Sequence, residues 1–146
     1  MSKAQSLSLF LLRVAMGCLY FYAGITKVLD SSWSAAGYIK NAHSLQGFYQ
    51  IMLNPQALMI VNFMVKWGLL FLGISLLLGL FVRLSGYLGM LLMLLLYLPI
   101  LNFPHVGAMA YVVDEHIVYI LALWVLVSRA CGPTVVWLIP TLTRLQ

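Results

Sequence analysis

Residues 57–82 read ALMIVNFMVKWGLLFLGISLLLGLFV, and the only charge among them is Lys66. A helix that crosses a bilayer needs about 20 predominantly apolar residues. This stretch exceeds that length, so it predicts a membrane span. The whole chain agrees: 64% of its 146 residues are hydrophobic and 8% are charged, against about 25% charged in an average soluble domain. So few polar side chains cannot cover a soluble globule of this size. The sequence therefore predicts an integral membrane protein with one domain, residues 1–146.

Working outward, residues 84–103 (LSGYLGMLLMLLLYLPILNF) carry no charge and give a second span. Only a very short turn around Arg83 separates it from the first stretch, so the two form an antiparallel hairpin. Upstream, 7–29 (LSLFLLRVAMGCLYFYAGITKVL) is interrupted by Arg13 and followed by three more spans. It reads as an uncleaved anchor rather than a signal peptide. Downstream, 113–131 (VDEHIVYILALWVLVSRAC) is the weakest span, uninterrupted only over 117–128, with Gly132-Pro133 as its stop. Glycines 17, 24, 68, 73, 79, 86 and 89 recur through the first three spans and suit close helix packing. Between the first two spans, Ala35, Tyr38, Ile39, Ala42, Leu45, Tyr49 and Met52 fall at helical spacing. This predicts an amphipathic interfacial helix over about 33–53, ended by Asn54-Pro55. The last residues, TVVWLIPTLTRLQ, read as a second interfacial segment or a frayed tail. The expected fold is an all-α membrane protein, a four-transmembrane-helix bundle with an interfacial amphipathic helix between helices 1 and 2.

The net charge of +5 does not indicate nucleic acid, because the basic residues are scattered singly with no basic stripe. They read as topology signals. With four spans, Lys3, Arg83, Arg129 and Arg144 share one side, and Lys27, Lys40 and all three acids share the other. The positive-inside rule then places both termini in the cytoplasm, in a multi-pass protein of a prokaryotic inner membrane. Cys18 and Cys131 form no C-x-x-C motif and read as small apolar residues.

Two of the three acids lie in DEHIVY, 114–119. Asp114 suits a helix N-cap, and acids in a first turn complement the helix dipole. A second reading starts from Lys66, about 15 Å into its span. A lone lysine near the bilayer centre costs at least about 2.5 to 3.5 kcal/mol on insertion scales. Pairing Lys66 or Lys27 with Asp114 or Glu115 would offset that cost, and snorkelling to the interface is the alternative. Arg13, Gly17, Tyr20, Gly24 and Lys27 form one stripe on the first span, and Arg13 either snorkels or binds a polar headgroup or ligand oxygen. His116 shares a helix face with Tyr119. The two are interface anchors or groups that bind and protonate a quinone carbonyl. His43 and His105 lie on the same side, but no H-x-x-x-H pair exists and no metal or haem site is expected.

LLRVAMGCLYFYAGITKVLD, with Arg13 and Gly24 to Lys27, resembles the first span of the DoxX/DoxD family of small membrane proteins. NPQALMIVNFMVKWGLLFLGISLLLGLFVRLSGYLG is similar to that family's second and third spans, and VDEHIVYILAL to the start of its last helix. WSAAGYIKNA suits the branch resembling the small DoxD subunit of thiosulfate:quinone oxidoreductase. The resemblance implies a four-helix bundle associated with quinone-linked sulfur or respiratory chemistry, as a partner subunit, and it supplies no catalytic residue. The expected function is thus a redox-associated membrane subunit, at most part of a quinone-dependent oxidoreductase. The quinone or polar-pocket candidates are Lys66, Asp114, Glu115, His116, Tyr119, Lys27 and Arg13. Membrane lipid and further protein subunits are the expected partners. The alternative is a structural or assembly subunit with no chemistry of its own. A transporter is disfavoured by the lack of internal repeats or broken-helix pairs.

Overall fold

The computed structural model describes residues 3–106 and 111–129. Six helices are present among them: α1 (Lys3–Leu29), α2 (Ala36–Lys40), α3 (Gln46–Ile51), α4 (Pro55–Leu78), α5 (Val82–Ile100) and α6 (Glu115–Arg129). Between α5 and α6 lies a two-residue antiparallel hairpin, β1 (Leu101–Asn102) with β2 (His105–Val106), in register Leu101 to Val106. Its turn holds a cis Phe103–Pro104 peptide. Helices α1, α4 and α5 are long and apolar enough to cross a membrane, so the protein is multi-pass. Helix α6 has 15 residues, a rise of roughly 22 Å. The last two residues expected in that span, the Gly132-Pro133 stop and the C-terminal interfacial segment lie outside the described residues.

The ends of α4 follow from its sequence. Asn54 caps its start by accepting from the Gln56 N–H at 3.2 Å, with Pro55 in the first turn, where a missing N–H costs nothing. Its end falls at Leu78, four residues before the expected boundary. Gly79 takes the left-handed conformation at φ 72°, and the Leu80 N–H reaches back to the Ser75 carbonyl at 3.0 Å. This is a Schellman-type stop. The chain then turns through Leu80 and Phe81 and returns as α5, the expected hairpin. Ser75 shares a 2.5 Å hydrogen bond with Ser85 across that turn.

Helix α1 runs antiparallel to α4, and small residues set the contact. Gly17 meets Leu77, Phe21 meets Gly73, and Gly24 meets Leu70. A Cβ on Gly24 would collide with the backbone of Leu70, and one on Gly73 with the backbone of Phe21. In lipid, helix association depends on such close packing rather than on burial from water. Helix α6 packs antiparallel on α5, with Gly86 against Val127 and Gly89 against Leu123. Tyr20, Leu76 and Leu123 are fully enclosed at the centre, beside Met16, Leu69, Leu72 and Met93. Outward faces carry Phe63, Phe71, Leu88, Leu91 and Trp124, as a bilayer solvent requires.

The segment between α1 and α4 differs from its expected form. Two short helices replace one amphipathic helix over 33–53. They are separated by Asn41–Leu45, where Leu45 adopts the left-handed conformation at φ 52°. The chain breaks there because it has better partners than a continuing helix: the His43 N–H donates to the Pro99 carbonyl at 2.8 Å and the Ser44 hydroxyl to the Leu101 carbonyl. Of the expected apolar face, Ala35, Ile39, Ala42 and Tyr49 are buried, packed on Leu58 and Val61 of α4 and Leu98 of α5. Leu45 is instead exposed. Pro99 explains why the segment sits where it does. Proline cannot donate to the carbonyl four residues back, which frees Leu95, and the Tyr49 hydroxyl donates to that carbonyl at 3.0 Å. Tyr38 donates to the neighbouring Leu96 carbonyl at 2.5 Å.

Candidate functional site

Asp114 does both things its sequence position allows. One carboxylate oxygen caps α6, accepting from the backbone N–H of His116 at 3.0 Å and of Ile117 at 3.3 Å. The other lies 2.7 Å from His116 Nδ1. Among the described residues this contact of a histidine with a carboxylate is the one side-chain pair within ion-pairing distance. A carboxylate on Nδ1 fixes the ring orientation and leaves Nε2 as the nitrogen outside that contact. Among the described residues Nε2 makes no hydrogen bond. One turn on, the Tyr119 hydroxyl approaches Glu115 at 3.5 Å. The Tyr119 ring meets Tyr20 of α1 edge-on at 6.2 Å between centroids. Tyr20 is 1% exposed and its hydroxyl has no partner among the described residues. Tyr38 belongs to the same neighbourhood electrostatically. Burial, and then the charges of Asp114 and Glu115, push its hydroxyl up to about 12. The result is a half-buried histidine–carboxylate pair one turn from the Tyr119 hydroxyl, with the Tyr119 ring packed on Tyr20.

The lysines go elsewhere. Lys66 does not pair with Asp114 or Glu115. Its ammonium donates to the Asp30 backbone carbonyl at 3.1 Å and lies 5.5 Å from the Trp33 ring centroid. Lys27 donates to the Ala23 carbonyl at 3.1 Å and lies 5.7 Å from the same ring. The reason is the register of α1 on α4. It sets Lys66 level with Asp30, the residue after α1 ends, so the lysine sits at the end of α1 rather than midway along it. Trp33 then covers both ammoniums by cation–π contact. The Asp30 carboxyl is turned to Ser32, accepting from its N–H at 2.9 Å and its hydroxyl at 2.6 Å. These bonds hold it below the usual carboxylate range, with a smaller contribution from Lys66.

Arg13 is at the opposite end of the bundle, beside the α4–α5 turn, and joins neither group. It is 6% exposed, its guanidinium packs on Gly79, and it lies 5.5 Å over Phe10. The seven candidates thus divide into three places: Asp114, Glu115, His116 and Tyr119 at the start of α6; Lys27 and Lys66 around Trp33; and Arg13 alone. Sequence reasoning missed Trp33 as the shared lysine partner, although a tryptophan six residues after a lysine at a helix end was a usable signal. It also missed a cavity of about 280 Å³ lined by Asn41, His43, Ile100, Asn102 and His105. That cavity depends on the β-hairpin turn, which no local pattern announces. Cys18 is free and exposed on the lipid-facing side of α1.

Comparison with known proteins gives one positive finding. A family model described as DoxX matches residues 8–101, which is more than half of the chain and runs from α1 through α5. No curated protein and no solved structure matches.

Proposed function

The chain belongs to the DoxX family, and from that premise we propose that it is a quinone-binding subunit of a membrane redox system. The site is the start of α6. The observation that carries this reading is the 2.7 Å Asp114–His116 pair, whose second ring nitrogen, Nε2, is not engaged by Asp114 and would meet a ligand oxygen. A quinone, when bound, supplies two-electron, two-proton redox chemistry. This chain's residues do the rest. His116 holds a proton at Nε2, Asp114 fixes the ring, and Glu115 with Tyr119 offers a second exchangeable proton. The apolar faces of α5 and α6 hold an isoprenoid tail out of water. Electrons come from a partner polypeptide, in line with the resemblance of 33–42 to a DoxD-type subunit. Helix α6 is taken as the fourth crossing, because it lies along α5 and is preceded by exposed Tyr111, Val112 and Val113. The short helices α2 and α3 lie at the outer interface. The distribution of Lys3, Arg83 and Arg129 supports an α4–α5 turn on the cytoplasmic side, and a prokaryotic inner membrane is the setting of this reading.

Purification in a gentle detergent followed by native mass spectrometry tests this reading. A bound quinone together with one or two redox polypeptides is the expected result. Recovery within a large complex, with no quinone on this chain, would instead make it an assembly subunit and sink the proposal.

A further inference from the structure

The cytoplasmic end of the bundle holds a group that the quinone reading does not use. Arg13 is the one charged side chain buried among the described residues, at 6% exposure. Its Nη1 is enclosed and has no hydrogen-bond partner among them. It lies against Gly79 and over the Phe10 ring, and no hydrogen bond compensates its burial. A guanidinium is always charged and carries five donors. Leaving one desolvated without an acceptor is among the costlier arrangements available to a protein.

A second feature of the same turn has the same sign. Helix α5 has 19 residues and starts at Val82, three residues after Gly79. Its N-cap is Phe81, which makes no side-chain cap hydrogen bond. The first N–H groups of a helix have no partner within it, and the dipole there favours negative charge. Arg13 thus lies against Gly79, three residues before a helix start whose N-cap side chain makes no bond, and both favour an anionic oxygen.

The surroundings indicate where that oxygen comes from. Leu80, Phe81 and Leu84 are exposed around the turn, so the approach to it is apolar. A lipid brings its phosphate along an apolar approach, with acyl chains beside these residues, whereas a free ion does so only at high cost. Gly79 fits the same picture. A side chain there would meet Nη1 directly, so the glycine leaves room for the guanidinium as well as ending α4.

We infer that Arg13 and the start of α5 form a binding site for a phosphate oxyanion, supplied by an anionic lipid headgroup. The site is independent of the quinone reading and lies at the other end of the molecule. Its ligand orders the α4–α5 turn against α1.

The test is a titration of wild-type protein in dodecylmaltoside with phosphatidylglycerol, with phosphatidylcholine, and with inorganic phosphate, read by the thermal unfolding midpoint and by lipid adducts in native mass spectra. Phosphatidylglycerol is expected to raise the midpoint saturably and to give one retained lipid per chain. In Arg13→Gln the apparent affinity is expected to fall about tenfold or more, the loss of a charge-assisted hydrogen bond. Arg129→Gln removes an exposed cation from the same end and is expected to change the affinity less than about twofold. Saturation by inorganic phosphate alone would keep the oxyanion site but overturn the lipid as its source. No saturable response of the wild-type protein to either anion would overturn the whole proposal, and this arm needs no variant to fold. An equal response in Arg13→Gln, or equal binding of phosphatidylcholine, would overturn it as well.

Discussion

Lys66 has a carbonyl and an indole where its place in an apolar run calls for a carboxylate. Its cost in lipid is met by the Asp30 carbonyl and the Trp33 face, so its removal should not disturb the start of α6. Lys66→Met is expected to leave any ligand affinity at His116 unchanged, within about twofold. Trp33→Ala strips both ammoniums of their shared cover and should destabilise more than either lysine variant, which parallel thermal melts would show. Two residues outside the spans set pH limits. Asp30 is held below its usual range by Ser32, so its contribution is present above the ordinary carboxylate range and is lost as pH falls through the lowered value. Ser32→Ala should move that acid loss to higher pH. Tyr38 is raised to about 12, against about 10 in an unfolded chain. The unfolded state ionises first, so stability is full below about pH 10 and declines as pH rises toward 12. Tyr38→Phe should flatten that alkaline decline, measured as unfolding midpoint against pH.

Helices carry their own predictions, because glycine and proline positions decide their contacts. Gly24→Ala and Gly73→Ala press a methyl into the facing backbone and should cost about 2 kcal/mol or more, as overpacking does. Gly68→Ala meets only the flexible end of Leu92 at 3.7 Å and should be neutral or slightly stabilising, since alanine is the better helix former. Tyr49→Phe leaves the Leu95 carbonyl unpartnered and should cost about 1–3 kcal/mol. The same change in a Pro99→Ala background should cost less, because alanine in place of the proline restores the N–H that the Leu95 carbonyl lacks. A double-mutant cycle in unfolding midpoints measures that coupling. The three long helices were legible in the sequence because lipid demands unbroken apolar runs. The break between α2 and α3 was not. It depends on carbonyls of Pro99 and Leu101, more than fifty residues away, and no periodicity within 33–53 encodes them.

At the scale of the whole molecule, the charges sort by end rather than by pair. Arg13 is at one end, and Lys27, Lys66, Asp114 and His116 are at the other. The ends of Arg13, Lys27, Asp114 and His116 were readable from the order of the apolar runs, whereas the level of Lys66 and the partner of each charge were not, because they depend on the register of α1 on α4. With α6 as a fourth crossing, cysteines placed at Lys3 and Arg129 should label from one side of sealed vesicles, and one at Lys40 from the other. Opposite-side labelling of Lys3 and Arg129 would leave three crossings. The claim on which the functional reading turns is that the Asp114–His116 pair faces a quinone. The direct measurement is quinone affinity in nanodiscs for the wild-type chain, Asp114→Asn and His116→Gln, with Lys66→Met as the control. Saturable binding that weakens about tenfold in the first two variants and holds in the third is the expected result. Absence of saturable binding, or equal affinity in all four proteins, would contradict it and leave the pair as a helix cap alone.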